Sequence, residues 1–378
     1  MIMTSLTPTL ILHTHASISF EPPQTGEQNW LITDSAHRRR FRVPVPTCAL
    51  LVAFIGGRVV EEAIAEVASL FSVDSQILEK AARELEEKGL LVTSENNSHN
   101  WALEIKKKWS SYGWHEAADY QIASYDYPFV NYSADGPSLD ITRMEEYSSA
   151  EPDVNRTKPP MHNTETLPVI TARAALNELN EPFDRVWNKE CQEHPLDGER
   201  LKVLLSTLFG KLRHKNRSGV PNRADLIRKT SPSGGSRHPT EAYVFVQSVE
   251  GLEPGIYHFS VAANALERVG SLPEDAVLFE LFSGVMKRVQ FQPKVLLVMT
   301  TYFERNMYRY REPRTLRSIF MDIGHLAVTM ETVANSLGIK CQFHHGIEDQ
   351  KIESLLGIHP LEEGAMFGAA LGGGVDVL

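Results

Sequence analysis

The residues best placed to do chemistry lie in one stretch, Lys229-Thr-Ser-Pro-Ser-Gly-Gly-Ser-Arg-His-Pro-Thr-Glu-Ala-Tyr-Val-Phe-Val246. Ser231, Pro232, Ser233, Gly234 and Gly235 open a turn-rich loop that Pro239 closes. Adjacent glycines carry no Cβ, so their backbone can come close to a flat or anionic ligand. The Ser231 and Ser233 hydroxyls and the loop N–H groups are donors for such a ligand. From these residues alone, a surface turn ahead of a strand is an equal reading. Tyr308-Arg309-Tyr310-Arg311 places a phenol beside guanidinium groups. Arginine cannot act as a base at neutral pH, because its pKa lies above about 12. It can lower the pKa of a neighbouring phenol or bind an anionic intermediate. A surface ion-pairing segment is the competing reading.

Elements must position these groups. Ala242 to Val246 is β-branched and aromatic and predicts a strand directly after the loop. Lys294 to Phe303 is nearly continuous in apolar residues, as expected at the centre of a covered sheet. Gly255 to Phe259 and Ala365 to Gly372 predict further strands; Arg173 to Leu179, Asp197 to Phe209 and Asp275 to Val289 predict helices. Ile319 to Leu337 reads as a long helix, apolar all round and therefore buried. His325 near its start reads as a packing residue more than a proton carrier. Strand and helix signals mix without strict alternation, which predicts an α+β fold with a central, mostly antiparallel sheet.

Upstream, Leu10 to Phe20 predicts a strand, and Trp30 to Thr33 with Arg40 to Val43 a hairpin around Asp34-Ser35. Three helices follow: Thr47 to Ile55, Glu61 to Phe71, and one capped by Asp74 with Ile77, Ala81 and Leu85 along one face. Leu90 to Val92 returns as a strand. Residues 1–93 thus predict a small winged-helix-like domain, 94–164 an aromatic-rich connector and linker, and 165–378 a larger domain. The connector's aromatics, Trp101 to Tyr132, read as packing against a larger body, and Asp135-Gly-Pro137 and Glu151 to Pro160 as exposed linkers.

The 378 residues carry a formal net charge of -10. That argues against a general nucleic-acid binder, and the acidic third helix argues against a DNA-reading wing. Cys48, Cys191 and Cys341 are too widely spaced for a disulfide framework or a zinc site, and no metal centre is expected. The N-terminus lacks the features of a signal peptide and no window is apolar enough to span a membrane, so a cytoplasmic protein without membrane contact is expected. Neither a GxGxxG nor a Walker sequence is present.

Ser231-Pro-Ser-Gly-Gly235, with His238-Pro239 and Glu241, resembles the flavin-contacting loop of the nitroreductase superfamily. Within it, the chain looks most like the SagB-type (McbC-like) thiazole/oxazole-oxidase dehydrogenases of peptide natural-product pathways. Asp322-Ile-Gly-His325, opening a helix that ends at Leu337-Gly338, is similar to the family's central helix. His345, Gly346 and Ile347 stand where the family sets a loop against the flavin, with backbone N–H groups approaching N5. Over roughly residues 165 to 378 the resemblance implies a nitroreductase-like domain with bound FMN, usually at a homodimer interface. It makes Arg228 or Arg173 candidate phosphate donors, with the basic 211–217 loop as rival. Many members carry basic phosphate ligands near the C-terminus, and Ala365 to Leu378 has none. Azoline-oxidising members have a Lys-Tyr pair before the central helix; here Tyr310 matches the tyrosine and Arg309 stands in place of the lysine, with one residue extra before Asp322.

Residues 1–93 resemble the PqqD-like precursor-peptide recognition element, through Val45-Pro-Thr-Cys-Ala-Leu-Leu, Val60-Glu-Glu-Ala-Ile-Ala and Leu85-Glu-Glu-Lys-Gly-Leu-Leu. Such modules bind a leader peptide as an added strand. Arg38 to Arg40 and Arg42 can attract an acidic leader or simply keep a strand edge soluble. Three readings follow: an FMN-dependent oxidoreductase of a ribosomally made precursor peptide, working with other pathway enzymes; a flavin reductase of nitro compounds, quinones or dehydroamino acids using NAD(P)H; and a non-catalytic peptide-binding scaffold. The leader-binding module favours the first over the second, and the intact Ser-Pro-Ser-Gly-Gly loop disfavours the third.

Overall fold

The computed structural model describes residues 10–161, 164–214 and 227–373. The opening residues read for a signal peptide, Lys215 to Arg217 of the basic loop, and the last residues of the chain lie outside that description. Two compact units are present, Met1–Phe129 and Val130–Leu378. The division falls inside the stretch expected as a connector.

The first unit runs β1 (Ile11–Thr14), β2 (Ile18–Glu21), β3 (Trp30–Asp34), β4 (Arg39–Val43), α1 (Val45–Ala53), β5 (Arg58–Val59), α2 (Val60–Phe71), α3 (Ser75–Glu87), β6 (Leu91–Val92), α4 (Asn97–Ser110) and α5 (His115–Ser124). The single strand expected from Leu10 to Phe20 is two. They are split at His15-Ala16-Ser17, where β1 stays central in the sheet β5-β1-β6 and β2 enters the sheet β2-β3-β4. The expected hairpin is β3–β4, with Asp34 paired to Arg39 in register. Asp74 caps α3 by accepting from the Gln76 N–H at 2.8 Å. The face of α3 is turned by one residue from expectation: Leu78, Ala82 and Leu85 are buried, and Ile77 is exposed. In α4, α5 and the residues after them, Trp101 pairs with Tyr125 and Trp109 with Trp114. Tyr112, Trp114, Tyr125 and Phe129 are exposed.

The second unit runs α6 (Gly136–Ala150), β7 (Thr166–Pro168), α7 (Ala172–Asn177), α8 (Phe183–Trp187), α9 (Gly198–Phe209), β8 (Arg213–His214), β9 (Ile227–Arg228), β10 (Thr240–Val246), β11 (Gly255–Ser260), β12 (Ala265–Gly270), α10 (Asp275–Leu281), α11 (Ser283–Met286), β13 (Val295–Tyr302), α12 (Glu304–Met307), α13 (Thr315–Ser336), β14 (Lys340–His344), α14 (Asp349–Leu356) and β15 (Glu363–Gly372). Seven strands form one sheet in the order β14-β15-β13-β10-β11-β12-β7, and every ladder in it is antiparallel. This is the α+β architecture expected. Alternation along β10 and β13 divides the core. Val244, Leu297 and Met299 face the side of α9 and α13, with Leu204, Ile319 and Met330. Tyr243, Phe245 and Leu296 face the side of α10, α11 and α14, with Leu278, Phe282 and Ile352.

Several expectations are corrected. The helix expected from Asp275 to Val289 breaks at Phe282 into α10 and α11. The long helix α13 begins at Thr315, and it is not apolar all round in burial: Phe320, Met321 and Val328 are exposed. Asp135-Gly-Pro137 starts a helix, with the proline in its first turn, where a missing N–H loses no hydrogen bond. The stretch after Glu151, expected as an exposed linker, packs into the unit: Arg156 is 3% exposed. Among the described residues, no helix is long and apolar enough to cross a membrane.

Candidate functional site

The loop between β9 and β10 is pinned to α13 by one carboxylate. Asp322 accepts from the Ser233 hydroxyl at 2.6 Å and from the Gly234 N–H at 3.2 Å. Ser233 Oγ in turn accepts from the His238 N–H at 2.9 Å. Ser231 shares a 2.8 Å hydrogen bond with Thr329 on the same helix. Burial raises the Asp322 pKa, and the Ser233 and Gly234 donors only partly offset it. Gly235 sits at φ +61°, in the left-handed region that favours glycine. A Cβ there would run into the Tyr310 hydroxyl, and one on Gly234 into the Ser318 hydroxyl. Gly235 is therefore favoured by its backbone conformation alone, and a side chain at Gly234 would make the Ser318 hydroxyl turn away, whether or not a ligand lies on the loop.

The far end of the loop is held by buried charge. Arg237, 1% exposed, donates to both Asp153 oxygens at 2.8 and 3.0 Å and, through Nε, to the Arg305 carbonyl. Arg156 forks onto the same carboxylate at 2.7 and 3.1 Å. Burial alone would raise the Asp153 pKa, but hydrogen bonds from Arg156 and Arg237 outweigh it and hold it at about 2. Arg305 donates to the His238 and Asn155 carbonyls, each at 3.0 Å, and pairs with Glu241 at 2.6 Å. Glu241 also meets His258 at 2.9 Å, and His258 approaches Glu267 at 3.4 Å. Burial opposes ionisation of Glu241, yet Arg305 and His258 pull its pKa well below the carboxylate range. Lys158 pairs with Glu363 and donates to the Tyr243 hydroxyl. Residues 153–158 thus form a strap across the end of the sheet that carries the loop.

The structure brings the Tyr310 hydroxyl against Gly235. Arg309 lies 5.2 Å from the Tyr310 ring centroid, and its guanidinium is tied to Asp140 of α6 at 2.6 Å. Burial raises the phenol pKa of Tyr310, and Arg309 lowers it without reversing the shift. Arg309 thus pulls in the direction the sequence suggested, while burial of the phenol is the larger effect. His345, Gly346 and Ile347 follow β14. There the Gly284 N–H donates to the Gly346 carbonyl at 2.8 Å, the Gly346 N–H donates to His344 Nδ1 at 2.8 Å, and Ile347 backs onto Gly368. Arg173 on α7 and Arg228 on β9 are exposed, and Arg228 pairs in register with Arg213.

Lys229 was not singled out by sequence reasoning. It lines a narrow cavity behind the loop with Ser231, Pro232, Ser233, His238, Thr240 and Asp322. Near it the hydroxyls of Thr230, Thr240 and Ser318 are buried without a hydrogen-bond partner among the described residues. Orphaned donors and acceptors of this kind call for a polar ligand edge or water. The loop, its free hydroxyls and the nearby cations fit a flat, polar, anionic group such as FMN.

Residues 192–373 match the family profile described as "Nitroreductase family". The chain is 28% identical over 262 residues to the trifolitoxin-processing protein TfxB of Rhizobium leguminosarum bv. trifolii, covering 66% of this chain and 68% of that protein. It is 31% identical over 132 residues to a Methanocaldococcus jannaschii protein assigned to the nitroreductases, covering 34% of this chain and 64% of that one. Among solved structures, a protein of Anabaena variabilis assigned to the nitroreductases aligns with a TM-score of 0.44 at 20% identity, over 61% of this chain and 46% of that one. A chain of the Escherichia coli microcin synthetase McbBCD complex with truncated pro-MccB17 bound aligns with a TM-score of 0.40 at 17% identity, over 76% of this chain and all of that one. The chain spans less than two thirds of the archaeal relative and less than half of the Anabaena protein.

Proposed function

We propose that this chain is an FMN-dependent oxidoreductase that dehydrogenates a ribosomally synthesised precursor peptide, as in oxidation of an azoline to an azole. The observation that carries the reading is the Tyr310 hydroxyl set against Gly235, at the loop that resembles a flavin-contacting loop. Similarity to a protein named for trifolitoxin processing supports the peptide substrate. In this reading Ser231, Pro232, Ser233, Gly234 and Gly235 hold the ring or ribityl chain. Arg173 and Arg228, both exposed and free to reach a ligand, hold the phosphate. In the His345, Gly346 and Ile347 segment the His345 N–H supplies the backbone approach, since the Gly346 and Ile347 N–H groups are engaged by His344 Nδ1 and the His345 carbonyl. FMN, when bound, supplies the hydride acceptor. Tyr310, a neutral phenol whose pKa burial raises, relays the substrate proton, and Arg309, anchored by Asp140, holds the phenol in place.

A homodimer belongs to the same proposal. Phe320, Met321 and Val328 of α13 and Phe183 and Trp187 of α8 are exposed apolar groups, and such a surface favours a partner copy. In the first unit, β4 lies at the edge of its sheet, which suits an added leader strand. The exposed Ile77 offers that leader an apolar contact. Arg38, Arg39 and Arg42 already have internal partners in Tyr125, Asp34 and Glu27, so the edge offers an acidic leader less free charge than the sequence suggested. A flavin reductase of small molecules or dehydroamino acids using NAD(P)H is the second reading. Arginine in place of the family's lysine favours it.

Purified protein should be yellow, dimeric, and release FMN at about one per protomer. Co-expression with a short peptide encoded beside it should give a product lighter by two hydrogens. A colourless protein that takes up no added FMN sinks the flavin reading; flavin without any mass change in the peptide moves the assignment to the reductase.

A further inference from the structure

A lysine inside a protein needs a reason to be there. Lys229 is only partly accessible, lines the cavity behind Ser231 and Ser233, and makes no ion pair with any described residue. The carboxylate whose field it feels is Glu241. That carboxylate is already engaged by Arg305 at 2.6 Å and His258 at 2.9 Å. His258 and Glu267 offset one another. With Glu241 taken by Arg305 and His258, the Lys229 ammonium has no ion-pair partner of its own beneath the loop. Asp322 lines the same cavity, but burial raises its pKa and its oxygens already accept from Ser233 and Gly234. Burial also lowers the Lys229 pKa to about 8; Glu241 resists the shift and Arg305 adds to it. A cation destabilised in this way gains from an anion brought to the loop. The cavity itself, about 10 Å³, holds roughly one water and no phosphate, so the anion must lie on the loop's outer side.

We propose that Lys229 is the electrostatic positioning residue of the cofactor pocket, favouring the reduced, anionic flavin over the oxidised, neutral ring through the Ser231–Ser233 loop. The inference rests on the flavin reading above. It assigns Lys229 no proton transfer and no contact with substrate. It concerns the balance between two oxidation states of one ligand, and a residue that only stiffened the loop would not shift that balance.

The test is the midpoint potential of the bound flavin, by dye equilibration on the full-length holoenzyme, for wild type, Lys229→Met and Lys229→Arg. The methionine variant should lose about tenfold in preference for reduced over oxidised flavin, a fall of about 30 mV for a two-electron couple. Arginine should restore most of it, since the charge is kept. Wild type offers an independent reading: between pH 7 and pH 10 its potential should fall by the same extra amount as the lysine deprotonates. If the methionine variant does not retain flavin, that wild-type titration decides. An unmoved potential in the methionine variant, or no such inflection in wild type, overturns the role of Lys229. A wild-type protein without flavin overturns the functional reading beneath it, a result plainly different from bound flavin with an unmoved potential.

Discussion

Replacing Asp153 by alanine tests whether the strap that crosses the sheet end holds the site together. The carboxylate receives two forks, from Arg156 and Arg237, with N···O distances of 2.7 to 3.1 Å. Both arginines are at most 3% exposed, so the substitution leaves two guanidinium groups buried without their anion. Removing one partner of a buried pair typically costs about 3–5 kcal/mol. The pKa route gives a lower figure. A carboxylate held at about 2 instead of 3.8 corresponds to about 2 kcal/mol. Its sign is that of a depressed acid: the stabilisation is complete above pH 3.8 and is lost as pH falls through about 2. Asp153→Ala should therefore destabilise the second unit by about 2–5 kcal/mol. The assay is urea titration followed by hydrogen exchange of the β10 and β13 amides. Asp153→Leu combined with Arg237→Met should recover part of the loss, because an apolar replacement removes the stranded charge with its partner. A loss below about 0.5 kcal/mol, of the size found for ordinary surface substitutions, refutes the reasoning.

Three further outcomes follow from the geometry. Tyr310→Phe should reduce turnover by about a hundredfold while flavin content stays unchanged; near-full turnover would exclude Tyr310 as the proton carrier. Because burial keeps the phenol above its ordinary pKa, the basic limb of the pH–rate profile should lie at high pH, and Arg309→Ala should move it higher still. In the first unit, burial lowers the His15 pKa to about 4 against the pull of Asp34, with His37, His99 and Arg39 also facing it. The Ser17 N–H donates to His15 Nδ1, and the Ala16 N–H to His99 Nδ1, so the fold selects both rings neutral. Stability should be complete above about pH 6.5 and fall by about 2 kcal/mol by pH 5, read as the urea midpoint of β1 and β2 amide exchange. A midpoint flat over that range would refute the histidine account.

Much of the framework was legible because its signals are local. Asp74 announces α3, the Trp30 to Val43 pattern announces a hairpin, and the runs through Tyr243 and Leu296 announce central strands. The loop and Tyr310 were legible through family resemblance, and the structure brings them together. What could not be read is long-range pairing. Asp153, Arg156 and Lys158 look like a solvated linker, since charged residues are almost never buried unless paired, and their partners lie far along the chain. One signal was available: Glu241, Glu267 and Glu363 sit in strands otherwise made for a core, and a buried carboxylate demands cations from somewhere. The strands β12 and β14 were missed because Glu267, Arg268, Lys340 and Gln342 interrupt their apolar pattern. On α3, Ile77 looked like a core residue, and the burial of Leu78 instead came from which side α1 and α2 lie on.

The strap also bears on how such a chain can be rearranged in evolution. Its family-matching portion begins at residue 192, yet residues 153–158 supply counter-charges to Arg237 and Glu363 inside that portion's core. A recombination event that carried over only the recognisable domain would inherit Arg237 and Glu363 without these partners, and its loop would lose the Asn155 carbonyl that steadies Arg305. Heritable modules here are longer than recognisable ones: exchange of the N-terminal unit is tolerable only at junctions upstream of Asp153, and the residues just before the family match should travel with it.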